Sequence, residues 1–314
     1  MSELKAGCQV VVLGAAAVDW VARVKEFPPP DGITFADQYQ PFPGGSGGNV
    51  AEGVAHLGYN VRFLGALGDD EGGRLLLEAF QKTGVDTRGT RIVKGGRSAA
   101  CFIAVDEKGQ RMIFALGGVA LLEKTEDVRR EWLQDASILY ITDAFQEVAL
   151  AAIDSLPPGA RVVFSPGGLM VSAGLDYLDP ILERTDVLIL NQVEAQSLSK
   201  KTDMEQACMD LIEYGPSVVL LTQGSQGVIV AEHGSYNHVP AELVADVLDT
   251  TGAGDAFSTG VVAGMLEGLD WVGCAHLGCQ VAASKIRHIG SRAGILDRTQ
   301  LQTWLNAGRE RSTR

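Results

Sequence analysis

No stretch of this sequence approaches the roughly 18 uninterrupted apolar residues that a membrane-spanning helix needs, so no membrane segment is expected. The opening MSELKAGCQV puts charges where a signal peptide would place its apolar segment, and export is not expected either. Cysteine is sparse, at positions 8, 101, 208, 274 and 279. The odd number and the lack of C-x-x-C spacing argue against disulfides and zinc and suit a reducing, cytoplasmic compartment. The five histidines show no metal-ligand spacing. Basic residues are also short: 26 Lys and Arg face 39 Asp and Glu. The formal net charge of −13 excludes a non-specific nucleic-acid binder, which needs surplus cations to replace the counterions of phosphates. Internal repeats, low-complexity tracts and the Walker loop G-x-x-x-x-G-K-[ST] are all missing.

What remains is ordinary globular usage, 46% hydrophobic and 21% charged over 314 residues, and one principal domain is expected over 1–314. Short, mostly apolar runs recur at 10–14, 62–65, 138–141, 162–164, 187–190 and 218–221, as strands buried on both faces of a parallel sheet require. Stretches with helical periodicity lie between them, including 71–83, 126–133 and 204–214. That alternation predicts an α/β fold with crossover connections. Two segments break the rhythm, 32–39 and 98–116, the second alternating around Lys108-Gly109 as a hairpin with one wetter face. They predict a small β lid, about 32–43 and 97–118, over the carboxyl ends of the parallel strands, where open α/β sheets take their ligands.

The most informative stretch is Asp249-Thr250-Thr251-Gly252-Ala253-Gly254-Asp255-Ala256-Phe257, which sets two glycines immediately before a long small-residue helix. A helix start offers free N–H groups and partial positive charge, and glycine lets an anion approach the backbone. Asp255 fits two readings there. It is the acidic residue favoured in a first helical turn, after glycines that merely make a tight turn. Alternatively, its carboxylate takes the proton from an attacking hydroxyl while the backbone N–H groups stabilise charge on a transferred phosphoryl group. Gly44 to Gly48 also spells G-x-S-x-G. Ser46 is nevertheless not expected to be a hydrolase nucleophile, because the preceding Gln38-Tyr39-Gln40-Pro41-Phe42-Pro43 carries two prolines where a nucleophile elbow needs a core strand.

D-T-T-G-A-G-D-A-F resembles the carboxyl-terminal motif of the ribokinase-like (PfkB) carbohydrate kinase family, and Gly44-Gly45-Ser46-Gly47-Gly48-Asn49-Val50-Ala51 resembles that family's amino-terminal motif. Their order and separation are similar to the family pattern, and the resemblance runs from about Val10 to about Gly294. It implies a three-layer αβα sandwich with a mostly parallel central sheet, and an ATP-dependent phosphotransferase that uses Mg²⁺ and acts on a hydroxyl of a small sugar or sugar-like substrate. Under the resemblance Asp255 is the catalytic base, and Gly252, Ala253 and Gly254 form the anion hole. Asp19, Gly44, Gly45 and Asn49 are implied to bind substrate, and Asn191 with Glu194, as an N-x-x-E motif, to organise Mg²⁺ and its waters near the phosphates. Thr222, Gly224 and Gly227 resemble the family's nucleotide loop, with Cys279 beside the adenine. Asp249 and Thr251, with the loop 287–292, are implied to hold a monovalent cation, K⁺. Without the resemblance, Asp19 reads equally as a surface-loop aspartate, Asn191 and Glu194 as an exposed helix start, and 222–227 as a tight β-turn.

Two positions depart from the family pattern. Gly117-Gly118-Val119-Ala120 stands where many sugar-handling relatives have Gly-Ala-Asn, which weakens an assignment to ribose, and Ser165-Pro166-Gly167-Gly168 replaces the Asp or Asn frequent after that strand. Fructose, fructose phosphate, a ketodeoxy sugar acid and a nucleoside stay open. Few basic residues lie in the motifs expected to touch substrate, which favours a neutral sugar or a nucleoside. A nucleoside kinase on the same scaffold is the alternative, and an apolar pocket around Phe102 and Phe114 able to stack a base would favour it. A non-catalytic sugar sensor is disfavoured, since it needs neither a base nor an anion hole. Open strand edges in 98–116 predict a homodimer formed through the lid.

Overall fold

Short runs of buried aliphatic residues build the larger of two sheets in the structure, a computed structural model that describes residues 8–107 and 110–312. In chain order the strands are β1 Val10–Leu13, β2 Ala17–Val24, β3 Ala36–Gly44, β4 Val61–Gly68, β5 Thr90–Val93, β6 Ala100–Val105, β7 Arg111–Ala115, β8 Ile138–Ile141, β9 Arg161–Phe164, β10 Val187–Asn191, β11 Val218–Thr222, β12 Val228–Glu232 and β13 Ser235–Val239. The helices are α1 Ser46–His56, α2 Glu71–Thr83, α3 Gln146–Asp154, α4 Gly167–Ser172, α5 Leu175–Leu182, α6 Gln192–Ser199, α7 Met204–Ile212, α8 Ala253–Leu266, α9 Trp271–Lys285 and α10 Arg298–Ser312.

The large sheet runs β13-β12-β11-β10-β9-β8-β1-β4-β5. Its pairings are parallel except at one edge, where β12 and β13 turn back antiparallel. Successive residues of one strand enter different cores. Val10 and Val12 pack with side chains of α1, α8 and α9, whereas Val11 and Leu13 pack with those of α3, α5 and α7. Burial on both faces explains why these strands are continuously apolar rather than alternating. The result is the expected three-layer αβα sandwich.

The smaller sheet is ordered β3-β2-β6-β7. It contains β2, which the reading of 32–43 and 97–118 as the lid left out. β2 begins only three residues after β1 ends, and its sequence AVDWVARV carries polar residues that mask a strand in an apolar-run search. β3 is an edge strand, which is why Pro41 and Pro43 are tolerated in it. β6 and β7 pair antiparallel as a hairpin, while the turn predicted at Lys108-Gly109 lies outside the described residues. The helix predicted over 126–133 is instead two short 3₁₀ turns, Thr125–Asp127 and Arg130–Trp132. Only Leu133 of that stretch is fully buried, too little apolar contact to hold a longer helix.

Candidate active site

The chain enters α8 through Gly252, whose left-handed backbone (φ 75°) starts the helix; a Cβ there would stand 2.5 Å from the Ser291 carbonyl oxygen. The helical ladder opens with the Ala256 N–H donating to the Gly252 carbonyl at 2.9 Å, and the Ala253 N–H donates to the Thr250 carbonyl at 3.2 Å. The N–H groups of Gly254 and Asp255 precede the ladder, so of the three residues expected to form an anion hole, Ala253 has its amide already engaged. Gly254 is exposed, and apart from its chain neighbours and its own helix backbone no described atom lies within 4 Å of where its Cβ would be. These residues line a cavity of about 230 Å³ together with Ser46, Asn191, Glu194 and Thr222.

Asp255 is held in this cavity by α1. The Asn49 Nδ2 donates to its Oδ2 at 2.7 Å. Burial raises the Asp255 carboxyl to about 6, against the lowering effect of hydrogen bonds from Asn49 and Ser46. Asn49 is itself clamped, its Oδ1 accepting from Arg292 Nε at 2.8 Å and Ser291 Oγ at 3.2 Å. Arg292 also donates from Nη2 to the Gly44 carbonyl at 2.6 Å and pairs through Nη1 with Glu52. Both charged side chains of that pair are almost fully buried, so neither can lose its partner cheaply. Asn49, expected to read substrate hydroxyls, thus has its amide committed at both ends to the protein.

On the other side of Asp249 and Thr250 lies a second cavity, of about 280 Å³, between the smaller sheet and the segments 247–251 and 289–291. Asp19 lines it from β2, so it is a strand residue rather than a loop one. Burial raises its carboxyl to about 6, with Arg292 pulling it down and Asp249 pushing it up. The chain passes so close that a Cβ on Gly44 would meet the Asp19 Oδ2 at 2.1 Å, and Gly45 turns with φ 82° against the Ala16 Cα. Arg23 and Arg111 also line this cavity, and Arg111 donates to Thr251 Oγ1 and, at 3.3 Å, to Thr250 Oγ1. Phe102 and Phe114 do not line it. They alternate with the lining residues Ile103 and Arg111 and join a row of rings on the other face of the small sheet, 6.3 Å apart and followed by Tyr39 and Trp20.

Asn191 and Glu194 form a capping box at the start of α6: Asn191 Oδ1 accepts the Glu194 N–H at 2.9 Å and Glu194 Oε2 accepts the Asn191 N–H at 2.9 Å. Both also face the first cavity, so the helix-start and functional readings coexist. Burial raises Glu194, and the charge of Asp143 pushes both Glu194 and Asp255 upward. Thr222 lines the same cavity. Gly224 (φ 59°) and Gly227 (φ 99°) bracket a 3₁₀ turn; a side chain on Gly227 would strike the Val239 carbonyl, so packing alone accounts for that glycine. Cys279 is buried in α9 and lines neither cavity. Among the described residues, no three His, Cys, Asp or Glu side chains converge as metal ligands; the cavity presents the carboxylates of Glu194 and Asp255, a fit for an ion such as Mg²⁺ that keeps several waters. The donors expected for K⁺ do not fit it, because the ammonium of Lys285 stands among them, 2.7 Å from the Asp249 carbonyl oxygen.

Residues 8–298 match the family described as pfkB family carbohydrate kinase. The chain belongs to that family. A sugar kinase of Archaeoglobus fulgidus, named as uncharacterized, is 32% identical over 250 residues, covering 77% of this chain and 98% of that protein. The ATP-dependent ribose-1-phosphate kinase of Halopiger xanaduensis is 31% identical over 258 residues, 81% of this chain and 84% of its own. The crystal structure of ribokinase from Thermotoga maritima has a TM-score of 0.85 at 27% identity, over 95% of this chain and 99% of that one. The fold is therefore ribokinase-like, and the protein is a carbohydrate kinase.

Five residues of this PfkB kinase's site escaped the sequence reading: Arg292 as a clamp, Arg23 and Arg111 as lining cations, Asp143 and Lys285. Asp143 alone had a local signal, a carboxylate two residues past the apolar run of β8 at the sheet's carboxyl edge.

Proposed function

We propose that this PfkB kinase transfers the γ-phosphoryl group of ATP to a hydroxyl of a small sugar or sugar-like substrate, with Asp255 as general base. The observation that carries this is the Asp255 carboxylate, seated by Asn49 beside the unladdered N–H groups of Gly254 and Asp255. Asp255 takes the hydroxyl proton as the substrate oxygen bonds to the γ-phosphorus and the bond to the bridging oxygen of ADP breaks. The backbone from Gly252 to Asp255 stabilises the charge on the transferred group. Asp19, with the Gly44-Gly45 backbone beside it, binds the acceptor, while Asn49 serves the site through Asp255. Asn191, Thr222, Gly224 and Gly227 flank the nucleotide, whereas the buried Cys279 is left without a part in holding it. Glu194 would hold Mg²⁺ through water, and the ion would supply positive charge to neutralise the phosphates.

Arg23 and Arg111 favour an acceptor that carries an anionic group, a sugar phosphate or sugar acid, over the neutral sugar suggested by the motifs alone. A nucleoside acceptor has less support, since Phe102 and Phe114 stand outside the cavity. The exposed Tyr39, Met112 and Phe114 of the small sheet support a homodimer through that face, and a monomeric mass by light scattering would count against it. Five free cysteines, four of them buried, suit the cytoplasm, and no helix among the described residues is long and apolar enough to cross a membrane.

The deciding experiment is an ADP-release screen over sugars, sugar phosphates, sugar acids and nucleosides with Mg²⁺, run beside Asp255→Asn. The variant is expected to bind nucleotide normally and to lose turnover by roughly two to four decades. Retained turnover would remove Asp255 from its role.

A further inference from the structure

Lys285 ends α9 with its side chain wholly buried. A lysine ammonium is strongly hydrated, and burying one is costly unless oxygens replace its water. Here they do. Nζ donates to the Asp249 carbonyl at 2.7 Å, lies 3.5 Å from the His288 carbonyl and stands 3.9 Å from the Asp249 carboxylate. That carboxylate is oriented by two backbone donors, the N–H of Thr251 at 2.8 Å and the N–H of Gly290 at 2.9 Å. The charge thus draws together two segments, 249–251 and 288–290, whose next residues, Gly252 and Ser291, touch at the entrance to α8. Two carbonyl oxygens and one carboxylate around a compact monovalent charge are the surroundings a potassium ion takes, and an ammonium group closely matches that ion in charge and size.

We propose that Lys285 is a built-in substitute for a monovalent cation, its ammonium holding Asp249 and the 288–290 turn in the arrangement that positions Gly252 and the first turn of α8. Lys285 is a positioning residue and touches no reacting atom. Any turnover of the kind proposed above, on which the kinetic half of the test rests, is then independent of K⁺.

The first arm of the test needs no substrate. Thermal unfolding of the wild-type protein is measured in KCl, NH₄Cl, NaCl and tetramethylammonium chloride at equal ionic strength, and the four midpoints are expected to coincide. In Lys285→Ala, the Asp249 oxygens face a gap of ammonium size, and the midpoint is expected to fall and then rise with K⁺ or NH₄⁺ but not with tetramethylammonium, as binding linked to the folded state requires. In the second arm, wild-type turnover is expected to change by less than about twofold between the salts, while Lys285→Ala loses about tenfold or more and recovers most of it in K⁺, the scale of a misplaced catalytic frame. A wild-type midpoint or turnover raised specifically by K⁺ overturns the proposal, as does a folded Lys285→Ala that responds to all four salts alike. If Lys285→Ala does not fold, the wild-type measurements decide. If no acceptor is ever found, the kinase reading has failed, and the midpoints still judge Lys285.

Discussion

The two glycine-rich segments of this chain use glycine for opposite reasons. In the first, protein fills the space: a Cβ on Gly44 would overlap the Asp19 carboxylate, and one on Gly45 would press on the backbone of Ala15, Ala16 and Ala17. In the second, Gly252 is likewise committed to Ser291, but the place of a Cβ on Gly254 is empty and its backbone has no left-handed φ. Nothing in the protein demands glycine at 254, and because this residue lines the Asp255 cavity, the space it leaves is open to whatever approaches the helix start.

The contrast can be broken in four ways. Arg292→Met, which strips Glu52 of its buried partner, should have the largest effect, a loss of about 3–5 kcal/mol in stability read from denaturant midpoints. Gly45→Ala should cost on the order of 3 kcal/mol, from a strained φ and overpacking together. Gly254→Ala should reverse the pattern, leaving the melting temperature unchanged or higher because alanine suits a helix better, while turnover drops by about one to two decades as the methyl enters the phosphoryl site. If that variant loses stability and keeps turnover, the two segments do not differ as described. The smallest effect concerns pH. A base must be ionised to accept a proton, so turnover should fall as pH drops through about 6, the value to which burial raises Asp255. Asn49→Ala removes a hydrogen bond that favours the charged carboxylate and should move this acid limb upward by about one pH unit in the kcat profile.

How much was legible in the sequence follows the range of the forces involved. β1, β8 and β10 announce themselves because burial on both faces writes an unbroken apolar run into adjacent residues. Asp255 announces itself because a helix start, its glycines and its acid are consecutive. β2 stayed hidden because the face that borders the second cavity carries Asp19 and Arg23 among its residues and its register depends on β6, some 80 residues away in sequence. Arg292 entered the sequence reading only within the loop 287–292, and Lys285, in the last turn of α9, is an ordinary basic residue complementing a helix dipole. Their roles exist only through partners 243 and 36 positions distant, and local pattern carries no trace of such pairs. The helix expected over 126–133 fails for the converse reason, a suitable local pattern with too little core to pack against.

The clamp on Asn49 has a consequence for synthesis. Asp255 is seated by a residue 206 positions earlier, and that residue is secured by one 37 positions later still. A nascent chain therefore carries no finished site while Arg292 remains inside the ribosome, even though the sheet strands have all emerged. A fragment that stops before Arg292 can contain both Asn49 and Asp255, but it lacks the side chain that clamps the first against the second.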